Sequence, residues 1–384
     1  MQILKLSDVY FPRINGVSTS IQTFRAGLAG LGHESVLIAP DYPQQPPDRE
    51  PGIVRIGARA VPRDPEDRIM RYRALLEAAH EQARQRRFDV IHVHTPFLAH
   101  YAGLRLAREL GLPLVETYHT YFEEYLHHYV PLLPAGLLRR LARRLTVSQC
   151  RLLDALVVPS QAMLTVLRRY GVEVPAEVVP TGLDLARFAG GDGARFRAML
   201  GIEPGRPVLV HISRVAFEKN IDFLLRMFMR VVAVRPETLL IIAGEGPAEA
   251  HLRGLAARLR IADAVRFVGY LDRGGALLDC YRAADLFVFA SRTETQGLVL
   301  LEAMALGVPV VSTAVLGTAE VLAGAAGARV VPEDEQAFAA AVLALLGDPA
   351  ARARLAEGGR ATAARWSASV LSARLAGVYE RVLR

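Results

Sequence analysis

The chain has 384 residues, of which 52% are hydrophobic and 22% are charged, and its net charge is +7. This much apolar material excludes an intrinsically disordered chain, and the length predicts two or three domains. No apolar run reaches the roughly 18 residues that a membrane-spanning helix needs, which argues against an integral membrane protein. Asp8 and Pro12 interrupt the first segment too early for a signal peptide.

Cysteine and lysine are both rare in this chain. The two cysteines, Cys150 and Cys280, are too few for a disulfide framework and fit a protein of the reducing cytoplasm. Only two of the 46 basic residues, Lys5 and Lys219, are lysines, and the rest are arginines. Such an excess is typical of a genome that favours Arg codons, so the lysine at position 219 stands out against that background.

Short apolar runs alternate with helical patterns through the first half of the chain, beginning with a strand–helix–strand unit. Strands are predicted at 2–7, 34–39, 53–56, 90–93, 113–117, 155–158 and 177–180. Helices are predicted at 18–31, 66–87, 98–110, 137–153 and 160–170. Strands that alternate with helices of this length predict a parallel sheet covered on both faces.

The Gly-rich stretch 181–193 has no clear period and is interpreted as a linker, after which the alternation restarts. Strands are predicted at 208–213, 238–244, 265–269, 285–291, 309–313 and 328–331. The chain from Glu335 onward is predicted to be helical. The fold class is therefore α/β, with two Rossmann-like parallel-sheet domains joined by a hinge. Because ligands of such sheets bind beyond the carboxyl ends of the strands, we expect the site in a central cleft between the domains.

The segment 291–311, SRTETQGLVLLEAMALGVPVV, carries the strongest functional signal. Glu294 lies in a polar loop after a strand, and Glu302 follows a little over two helical turns later, so both carboxylates can line one wall. The free N–H groups of Gln296, Gly297 and Leu298 and the helix dipole make the helix start an anion site. Glu302 stands among apolar residues, where burying an unpaired carboxylate is costly. A functional role for Glu302 is therefore favoured over the alternative that it is a solvated carboxylate on the helix surface.

Two cations follow the predicted strand at 208–213. Arg214 and Lys219 lie in the loop at its carboxyl end, an arrangement that suits a diphosphate, with Arg as a fork and Lys as a point charge. Glu218 between them offers the alternative of a surface salt bridge. The loop at 294–302 in the same half of the chain favours the diphosphate site.

Asn15-Gly16 forms a tight-turn dipeptide before a helix that Ser18 could cap. A glycine at this point lets the backbone approach a ligand closely, although such a dipeptide is more often a plain turn. No GxGxxG motif occurs in the chain, which argues against a dinucleotide-dependent oxidoreductase.

Histidines are frequent in the first half of the chain: His92, His94, His100, His119, His127 and His128. The pair His92-x-His94 resembles the metal pair of amidohydrolases, but further ligands are not evident, so no metal is expected. No Asp-x-Asp pair occurs, which also disfavours a diphosphate held by Mg²⁺ or Mn²⁺. His119, which follows a predicted strand, is the best candidate for a site histidine.

Residues 125–153 contain no Asp or Glu and are rich in Arg. On a helix, one basic stripe comprises Arg139, Arg140, Arg143 and Arg144. The leucines that flank it are Leu137, Leu138, Leu141 and Leu145. This composition is typical of an amphipathic segment on anionic lipid. The alternative is a helix whose Leu face packs on the sheet and whose Arg face is only solvated. Nucleic acid is disfavoured because no recognised binding motif is present.

Together these motifs resemble the family 4 glycosyltransferases of the GT-B fold, from the first residue to about Arg384. The most specific parts are the Glu294–Glu302 spacing, the Arg214/Lys219 pair, the Asn15-Gly16 loop and the segment Tyr118-His119-Thr120. Within the family, SDVYFPRINGVSTSIQTF and HVHTPF…ETYHTYFEEYLHHY are most similar to diacylglycerol α-glucosyltransferases and related lipid mannosyltransferases. Thr295-Gln296 departs from the family, which often has Phe at the second position.

The resemblance implies metal-independent, retaining transfer of a hexose from a nucleotide sugar, with UDP-glucose as the expected donor and no cofactor. The expected acceptor is a lipid such as diacylglycerol, reached from the cytoplasm by an enzyme that is peripheral on the inner membrane face. The implied domains are an acceptor-binding domain at 1–185, a nucleotide-sugar-binding domain at 186–365 and a helix at 366–384 that crosses back to the first domain.

The resemblance also implies a role for each site residue. Glu302 would hold the ribose hydroxyls and Glu294 those of the donor sugar. Arg214 and Lys219 would stabilise the leaving diphosphate, together with the amides of Gln296, Gly297 and Leu298. Gly16 would bring its loop against the phosphate or the acceptor, and His119 would lie beside the donor sugar.

Three alternatives remain at the level of the sequence. The same chemistry fits a soluble sugar or polyol acceptor, with Arg139, Arg140, Arg143 and Arg144 merely solvated. GDP-mannose is an alternative donor. A protein of another class with two Rossmann-like domains, such as a sugar epimerase or a binding protein, would use the same fold.

Overall fold

A computed structural model describes residues 1–13, 15–43, 47–48, 50–61, 64–119, 135–272 and 275–384, without the side chains of 64–67 and 135. The chain divides into two compact units. The N-terminal unit is Met1–Gly182 together with Ala368–Arg384, and the C-terminal unit is Leu183–Ser367. The sequence-based boundaries, at 185 and 366, fall a few residues from these limits.

The N-terminal unit is built on a parallel sheet with the strand order β3-β2-β1-β6-β7-β8-β9. Its strands are β1 (Gln2–Leu6), β2 (Glu34–Pro40), β3 (Ile53–Ile56), β4 (Ala58–Val61), β5 (Asp64–Met70), β6 (Val90–Val93), β7 (Leu114–Thr117), β8 (Ala155–Val158) and β9 (Ala176–Val178). Its helices are α1 (Gly16–Gly30), α2 (Tyr72–Gln85), α3 (Leu98–Leu110), α4 (Ala135–Cys150), α5 (Gln161–Tyr170) and, from the end of the chain, α14 (Ala368–Val382).

The central strand β1 pairs with β2 on one side and β6 on the other, so the chain order reverses beside it. Leu4 and Leu6 point to one face and pack in a core with Ile91 and Val93. Lys5 lies between them in sequence and points to the opposite face of the sheet, because successive side chains of a strand alternate. The sheet is covered on both faces, as the near-continuous apolar runs predicted.

The helix predicted at 66–87 is wrong in its first turns. Residues Asp64–Met70 form β5, which pairs antiparallel with β4 outside the main sheet, and α2 begins only at Tyr72. The segment before Ile69 has no apolar residue at helical spacing, so tertiary pairing decides its conformation. Met70 at the strand end is buried in the core.

The C-terminal unit has a six-stranded parallel sheet with the order β12-β11-β10-β13-β14-β15. Its strands are β10 (Val208–Ile212), β11 (Leu239–Ala243), β12 (Val265–Gly269), β13 (Leu286–Phe289), β14 (Val310–Ser312) and β15 (Ala328–Val330). Its helices are α6 (Gly193–Met199), α7 (Ile221–Val234), α8 (Glu249–Arg258), α9 (Ala276–Arg282), α10 (Leu298–Ala305), α11 (Gly317–Leu322), α12 (Glu335–Gly347) and α13 (Pro349–Ala364). Short 3₁₀ turns occupy Leu185–Phe188, Phe217–Lys219 and Ala262–Ala264.

The pairing of β10 with both β11 and β13 creates a topological switch point in this sheet. The loops after β10 and β13 leave the same edge side by side, which is where α/β sheets bind ligands. Arg214 and Lys219 lie in the first loop and Glu294 lies in the second. The fold thus brings together residues that are about 80 positions apart in sequence.

The Gly-rich stretch 181–193 is not the loose linker that its composition suggested. Leu183 N–H donates to the Trp366 carbonyl at 2.7 Å, and Asp192 caps α6. A Cβ at Gly193 would lie 2.3 Å from the Arg282 carbonyl oxygen. Glycine is needed there because the backbones pack closely. A high glycine content can reflect either such packing or a flexible linker, and composition alone does not tell the two apart.

None of the helices in the described ranges is long and apolar enough to cross a bilayer.

Candidate active site

The loop between β13 and α10 is fixed by close backbone packing. Gly297, which precedes α10, has a φ of 91°, in the left-handed region that favours glycine. A Cβ at Gly317 would lie 2.1 Å from the Thr295 carbonyl oxygen, so only glycine lets α11 press against this loop. Gly317 N–H donates to the Glu294 carbonyl at 3.0 Å. The start of α10 and the carboxylate beside it are therefore held in place by backbone contacts.

Lys219 and Glu294 meet in a short ion pair. Lys219 Nζ donates to Glu294 Oε1 at 2.6 Å, and the two side chains are only 14% and 19% exposed. Burial acts to raise the pKa of Glu294, but the Lys219 ammonium and hydrogen bonds from Lys219 and Ser291 outweigh it, so the pKa lies below the ordinary value of 4.5. Glu294 is therefore an ionised hydrogen-bond acceptor at neutral pH.

Asn220 ties the two loops of this pair together. Its side-chain Nδ2 donates to the Ala290 carbonyl at the end of β13, at 3.1 Å. Its backbone has a φ of 56°, a left-handed conformation that asparagine tolerates better than most residues. Lys219 immediately precedes it, so this bond sets where the ammonium lies relative to Glu294.

Arg214 follows β10 in a loop that packs directly on the loop after β11. A Cβ at Gly244 would lie 1.9 Å from the Ser213 carbonyl oxygen, and one at Gly246 would lie 2.3 Å from that of Val215. Val215 N–H also donates to the Glu245 carbonyl at 2.8 Å. These contacts fix the backbone on both sides of the arginine.

Beneath this loop, His211 is fully buried on β10. Its Nδ1 lies 3.0 Å from the Val288 carbonyl and its Nε2 lies 2.8 Å from Ser213 Oγ. Burial lowers the pKa of His211 to about 4, so the ring is neutral at physiological pH. The carbonyl can only accept, so Nδ1 carries the proton and Nε2 presents a lone pair to Ser213 Oγ. The Ser213 hydroxyl also lies 2.9 Å from the Arg214 carbonyl, to which it can donate its single proton.

Glu302 is 4% exposed within α10, and its Oε2 accepts a hydrogen bond from the Tyr281 hydroxyl at 2.9 Å. The prediction that this carboxylate is not a solvated helix residue is confirmed. Tyr281 is itself fully buried on α9, so it holds the carboxylate in one orientation.

In the N-terminal unit, the helix predicted to begin at 18 begins at Gly16, and Ser18 is not its cap. Asn15 is the N-cap, and its side chain accepts from Ser18 N–H at 2.8 Å, while Ser18 Oγ donates to the Arg13 carbonyl. Asn15 thus satisfies one free N–H of the first turn, while Ser18 already lies inside the helix and bonds back to the loop before it. A Cβ at Gly16 would meet no atom within 4 Å.

His119 lies just beyond β7, and its Nε2 is 3.2 Å from Nδ1 of His94. Burial, and then the charge of Lys5, lower the pKa of His119 to about 3, so the ring is neutral. Thr120 of the motif, together with His127, His128 and the rest of 125–134 at the start of the Arg-rich segment 125–153, lies outside the described residues.

Helix α4 exposes leucine and arginine on the same surface. Leu137, Leu141 and Leu145 are 46%, 49% and 52% exposed, so the alternative in which these leucines pack on the sheet is wrong. Only Leu138 among the four flanking leucines is buried. The side chains of Arg139, Arg140 and Arg144 are exposed, and the Arg143 guanidinium lies 5.1 Å from the centre of the Tyr170 ring.

A surface depression of about 300 Å³ opens along this helix. Its lining residues are Arg140, Arg143, Arg144, Val147, Ser148, Arg151 and Tyr170. Four of the seven are arginines, so the depression is strongly basic.

Family models match both units of the chain. The model for Glycosyltransferase Family 4 matches residues 14–187, and the model for Glycosyl transferases group 1 matches residues 193–362. The "Alpha-monoglucosyldiacylglycerol synthase" of Streptococcus pneumoniae is 35% identical over 81% of this chain and 71% of its own. The chain belongs to the family 4 glycosyltransferases.

Other members of the family and a solved structure agree with this. The "D-inositol 3-phosphate glycosyltransferase 2" of Catenulispora acidiphila is 36% identical over 79% of this chain and 73% of its own. The crystal structure of Anabaena Alr3699/HepE in complex with UDP-glucose superposes with a TM-score of 0.77 at 19% identity, covering 99% of this chain and 100% of that one. This glycosyltransferase has the GT-B fold, with a Rossmann-like sheet in each unit.

Within the described ranges, no group of three or more His, Cys, Asp or Glu side chains is placed to hold a metal ion. His92 and His94 lie within hydrogen-bond distance of other side chains: His92 contacts Tyr379 and Thr117, and His94 contacts His119.

Sequence reasoning missed the residues that hold the loops of this candidate site in place: Tyr281, Asn220, His211, Gly244, Gly246 and Gly317. The glycines were visible only as turn residues, because the close approach that requires them involves a different loop. The run Gly244-Glu245-Gly246 directly after a strand was the one available signal.

Proposed function

We propose that this glycosyltransferase is a metal-independent, retaining α-glucosyltransferase that transfers glucose from UDP-glucose to diacylglycerol at an anionic membrane surface. The observation that carries the transfer chemistry is the Lys219–Glu294 pair beside the start of α10, at a switch point of the sheet. The relative from Streptococcus pneumoniae, named as a monoglucosyldiacylglycerol synthase, supports glucose as the sugar and diacylglycerol as the acceptor. The UDP-glucose in the HepE structure supports the nucleotide.

The C-terminal unit is proposed to bind the donor. Lys219 and Arg214 neutralise the diphosphate, and Glu294, kept ionised by Lys219, accepts hydrogen bonds from the glucose hydroxyls. The free N–H groups at the start of α10, of Gln296, Gly297 and Leu298, add backbone donors to the phosphate. Glu302 would then offer its second carboxylate oxygen to the ribose, while Tyr281 holds the first.

The reaction builds negative charge on the leaving diphosphate and positive charge on the sugar. Fixed cations and amide dipoles at the diphosphate stabilise that state more than the ground state, which is what lowers the barrier. With retention, the acceptor hydroxyl attacks from the face that the phosphate leaves, so the leaving phosphate oxygen takes its proton. No metal is invoked in this proposal, because Arg214, Lys219 and the amides at the start of α10 supply the positive potential at the diphosphate.

The N-terminal unit is proposed to hold the acceptor. Gly16 would let the start of α1 approach the phosphate or the acceptor, and His119 would lie beside the donor sugar. Helix α4 would rest on the inner membrane face, with its half-exposed leucines among the acyl chains and its arginines at the lipid phosphates.

Incubation of the enzyme with UDP-[¹⁴C]glucose and diacylglycerol in vesicles, with EDTA present, tests the chemistry. The expected product is a chloroform-soluble glucolipid whose anomeric proton in NMR identifies an α linkage. Parallel reactions with D-inositol 3-phosphate, soluble sugars and GDP-mannose test the competing acceptors and donor. Turnover of a soluble acceptor without lipid, a β linkage, or dependence on a divalent metal would each contradict the corresponding part of the proposal.

Sedimentation with phosphatidylglycerol vesicles tests the membrane surface. Replacement of Arg139, Arg140, Arg143 and Arg144 by Ala is expected to abolish binding and reduce glucolipid synthesis. A matched control replaces four exposed arginines elsewhere: Arg86, Arg87, Arg258 and Arg354. Equal binding by the two quadruple variants would remove α4 from the proposal.

A further inference from the structure

Glu333 lies in the loop that follows β15, and its carboxylate joins the two loops that carry Lys219 and Glu294. Its Oε1 accepts a hydrogen bond from Asn220 Nδ2 at 3.2 Å. Arg292 Nε lies 2.9 Å from each of its two oxygens, and Arg292 Nη2 also donates to Oε1. Asn220 directly follows Lys219 in the sequence, and Arg292 stands two positions before the glutamate of the ion pair. One carboxylate is thus bonded to both loops of that pair.

The side-chain amide of Asn220 uses both of its hydrogens in this arrangement. One Nδ2–H donates to the Ala290 carbonyl at 3.1 Å, and the other donates to Glu333. Hydrogen bonding from Arg292 holds the pKa of Glu333 below its ordinary value of 4.5, against the opposing effect of partial burial, so this carboxylate is ionised at neutral pH. A carbonyl and an ionised carboxylate can only accept, so the amide nitrogen, and not its oxygen, must face them.

The loop that carries Glu333 is itself fixed at both ends. Val331 N–H donates to the Ser312 carbonyl at 3.0 Å, which continues the pairing of β15 with β14. Asp334 caps α12, because its side chain accepts from Ala337 N–H at 2.7 Å. Glu333 therefore lies between the end of a strand and the start of a helix, and its backbone is a firm support for the two loops that its carboxylate joins.

The Lys219–Glu294 pair depends on how the two loops lie relative to each other. Lys219 Nζ is 2.6 Å from Glu294 Oε1, and a hydrogen bond of this kind weakens steeply when the atoms move apart or out of line. The bond from Asn220 to Ala290 is one link between the loops, but a single bond allows rotation about itself. The bonds of Glu333 to both loops supply a second link, and two links fix an orientation that one does not.

The exposure of this second link decides which property it affects. The side chains of Arg292 and Glu333 are 60% and 27% exposed. An ion pair at such exposure contributes little to stability unless its geometry is bidentate or it belongs to a network. Here the arginine contacts both carboxylate oxygens, and the same carboxylate also holds Asn220. We therefore expect its main effect on the relative placement of the two loops and only a small effect on the stability of the fold.

We propose that Glu333 is a positioning residue for the Lys219–Glu294 pair, which it holds through Asn220 on one loop and Arg292 on the other. Glu333 acts through these two neighbours. It keeps the ammonium and the carboxylate of the pair in place before the reaction, so that neither has to move when charge develops on the diphosphate. The consequence for the reaction rate rests on the proposed function, whereas the placement of Lys219 does not.

The presence of only two lysines in the chain makes this placement measurable. In full-length protein labelled with [¹³C,¹⁵N]lysine, one set of side-chain NMR signals arises from Lys219 and the other from Lys5 in the N-terminal unit. The set that is lost in Lys219→Met identifies Lys219. Glu333→Ala is expected to shift the Lys219 signals and to leave those of Lys5 in place. Glu333→Gln keeps an acceptor for Asn220 but loses the ion pair with Arg292, so a smaller shift in the same direction is expected.

Initial rates with UDP-glucose give the second readout. Glu333→Ala is expected to lower kcat by about tenfold and to change KM for UDP-glucose by no more than about twofold, as for a catalytic group that is misplaced while binding is retained. Arg292→Ala is expected to give a smaller loss of kcat, because Asn220 keeps its acceptor. The melting temperature of both variants is expected to fall by no more than about 4 °C, since exposed ion pairs contribute little to stability.

Glu249→Ala in α8 is the matched control. Glu249 forms an ion pair with Arg253 in the same unit, and its side chain is 32% exposed, against 27% for Glu333. This variant is expected to leave the Lys219 signals and kcat unchanged. Unchanged Lys219 signals in Glu333→Ala, or an equal shift in Glu249→Ala, would overturn the proposal. Shifted Lys219 signals with an unchanged kcat would confirm the placement and contradict the proposed part of Lys219 in transfer, so the two failures are distinguishable.

Discussion

The two lysines of this chain occupy opposite environments. Lys219 in the C-terminal unit is paired at 2.6 Å with Glu294 and lies in the proposed donor site. Lys5 in the N-terminal unit is fully buried beside a tyrosine and a histidine, with no carboxylate partner among the described residues. A charged amine suits the first place because it would face the diphosphate of the proposed donor. A neutralisable amine suits the second because a permanent charge there would be uncompensated.

Replacing each lysine by arginine separates the two environments most sharply. Lys5→Arg is expected to lower the free energy of unfolding by about 3–5 kcal/mol, because it leaves a permanent charge buried without a partner. Lys219→Arg retains the ion pair with Glu294 and is expected to stay close to wild-type stability. Urea denaturation at pH 7 measures both. Similar stabilities for the two variants would contradict the distinction.

The second expectation concerns activity. Lys219→Ala and Glu294→Ala are each expected to lower kcat by about 10²–10³-fold, as for loss of one group that stabilises transition-state charge. Arg253→Ala in α8 is the control, since its exposed ion pair with Glu249 lies outside the proposed chemistry. Initial-rate assays at saturating UDP-glucose measure the three variants. Full activity in either Lys219→Ala or Glu294→Ala would overturn the donor-site assignment.

Stability against pH is expected to change in opposite directions for the two methionine variants. Glu294 has a lowered pKa, so the stabilisation that Lys219 gives it is complete above the ordinary glutamate pKa of 4.5 and is lost as the pH falls below it. Wild type should exceed Lys219→Met at neutral pH, by a margin that shrinks in acid.

The pKa of Lys5 is lowered from 10.5 to about 7 in the folded protein. The burial of its charge therefore destabilises the folded state fully below pH 7, and this destabilisation disappears as the pH rises from 7 toward 10.5. Lys5→Met should therefore exceed wild type at pH 7, by a margin that shrinks in alkali. Thermal unfolding from pH 3.5 to 10 measures both differences. Parallel pH dependence in the two variants would show that the lysines do not differ as described.

The smallest expected effect is on stability, at Gly16. A Cβ there meets no atom within 4 Å, and Gly16 is helical, so Gly16→Ala is expected to stabilise the protein by about 0.5–1 kcal/mol. Gly30→Ala in the same helix also meets nothing within 4 Å and is the control. If Gly16 approaches a ligand, its variant alone loses activity. Equal activity in both variants would place Gly16 away from substrate.

The sequence predicted those features of the fold and the candidate site that depend on local residue patterns. The alternation of apolar runs gave both sheets, and the apolar surroundings of Glu302 indicated its burial. The hairpin of β4 and β5 was missed because its pairing depends on tertiary contacts. The network around Lys5 was invisible for the same reason, since Lys5 and Tyr379 are separated by 374 positions. The face that α4 exposes was equally undecided, because leucines on a helix pack or protrude depending on what lies beneath them.

A crystal structure of the enzyme with UDP tests the central claim most directly. The diphosphate oxygens are expected within hydrogen-bond distance of Lys219 Nζ and the Arg214 guanidinium, with the ribose at Glu302. A nucleotide held elsewhere, with no phosphate oxygen within hydrogen-bond distance of Lys219 Nζ or Arg214, would contradict the account.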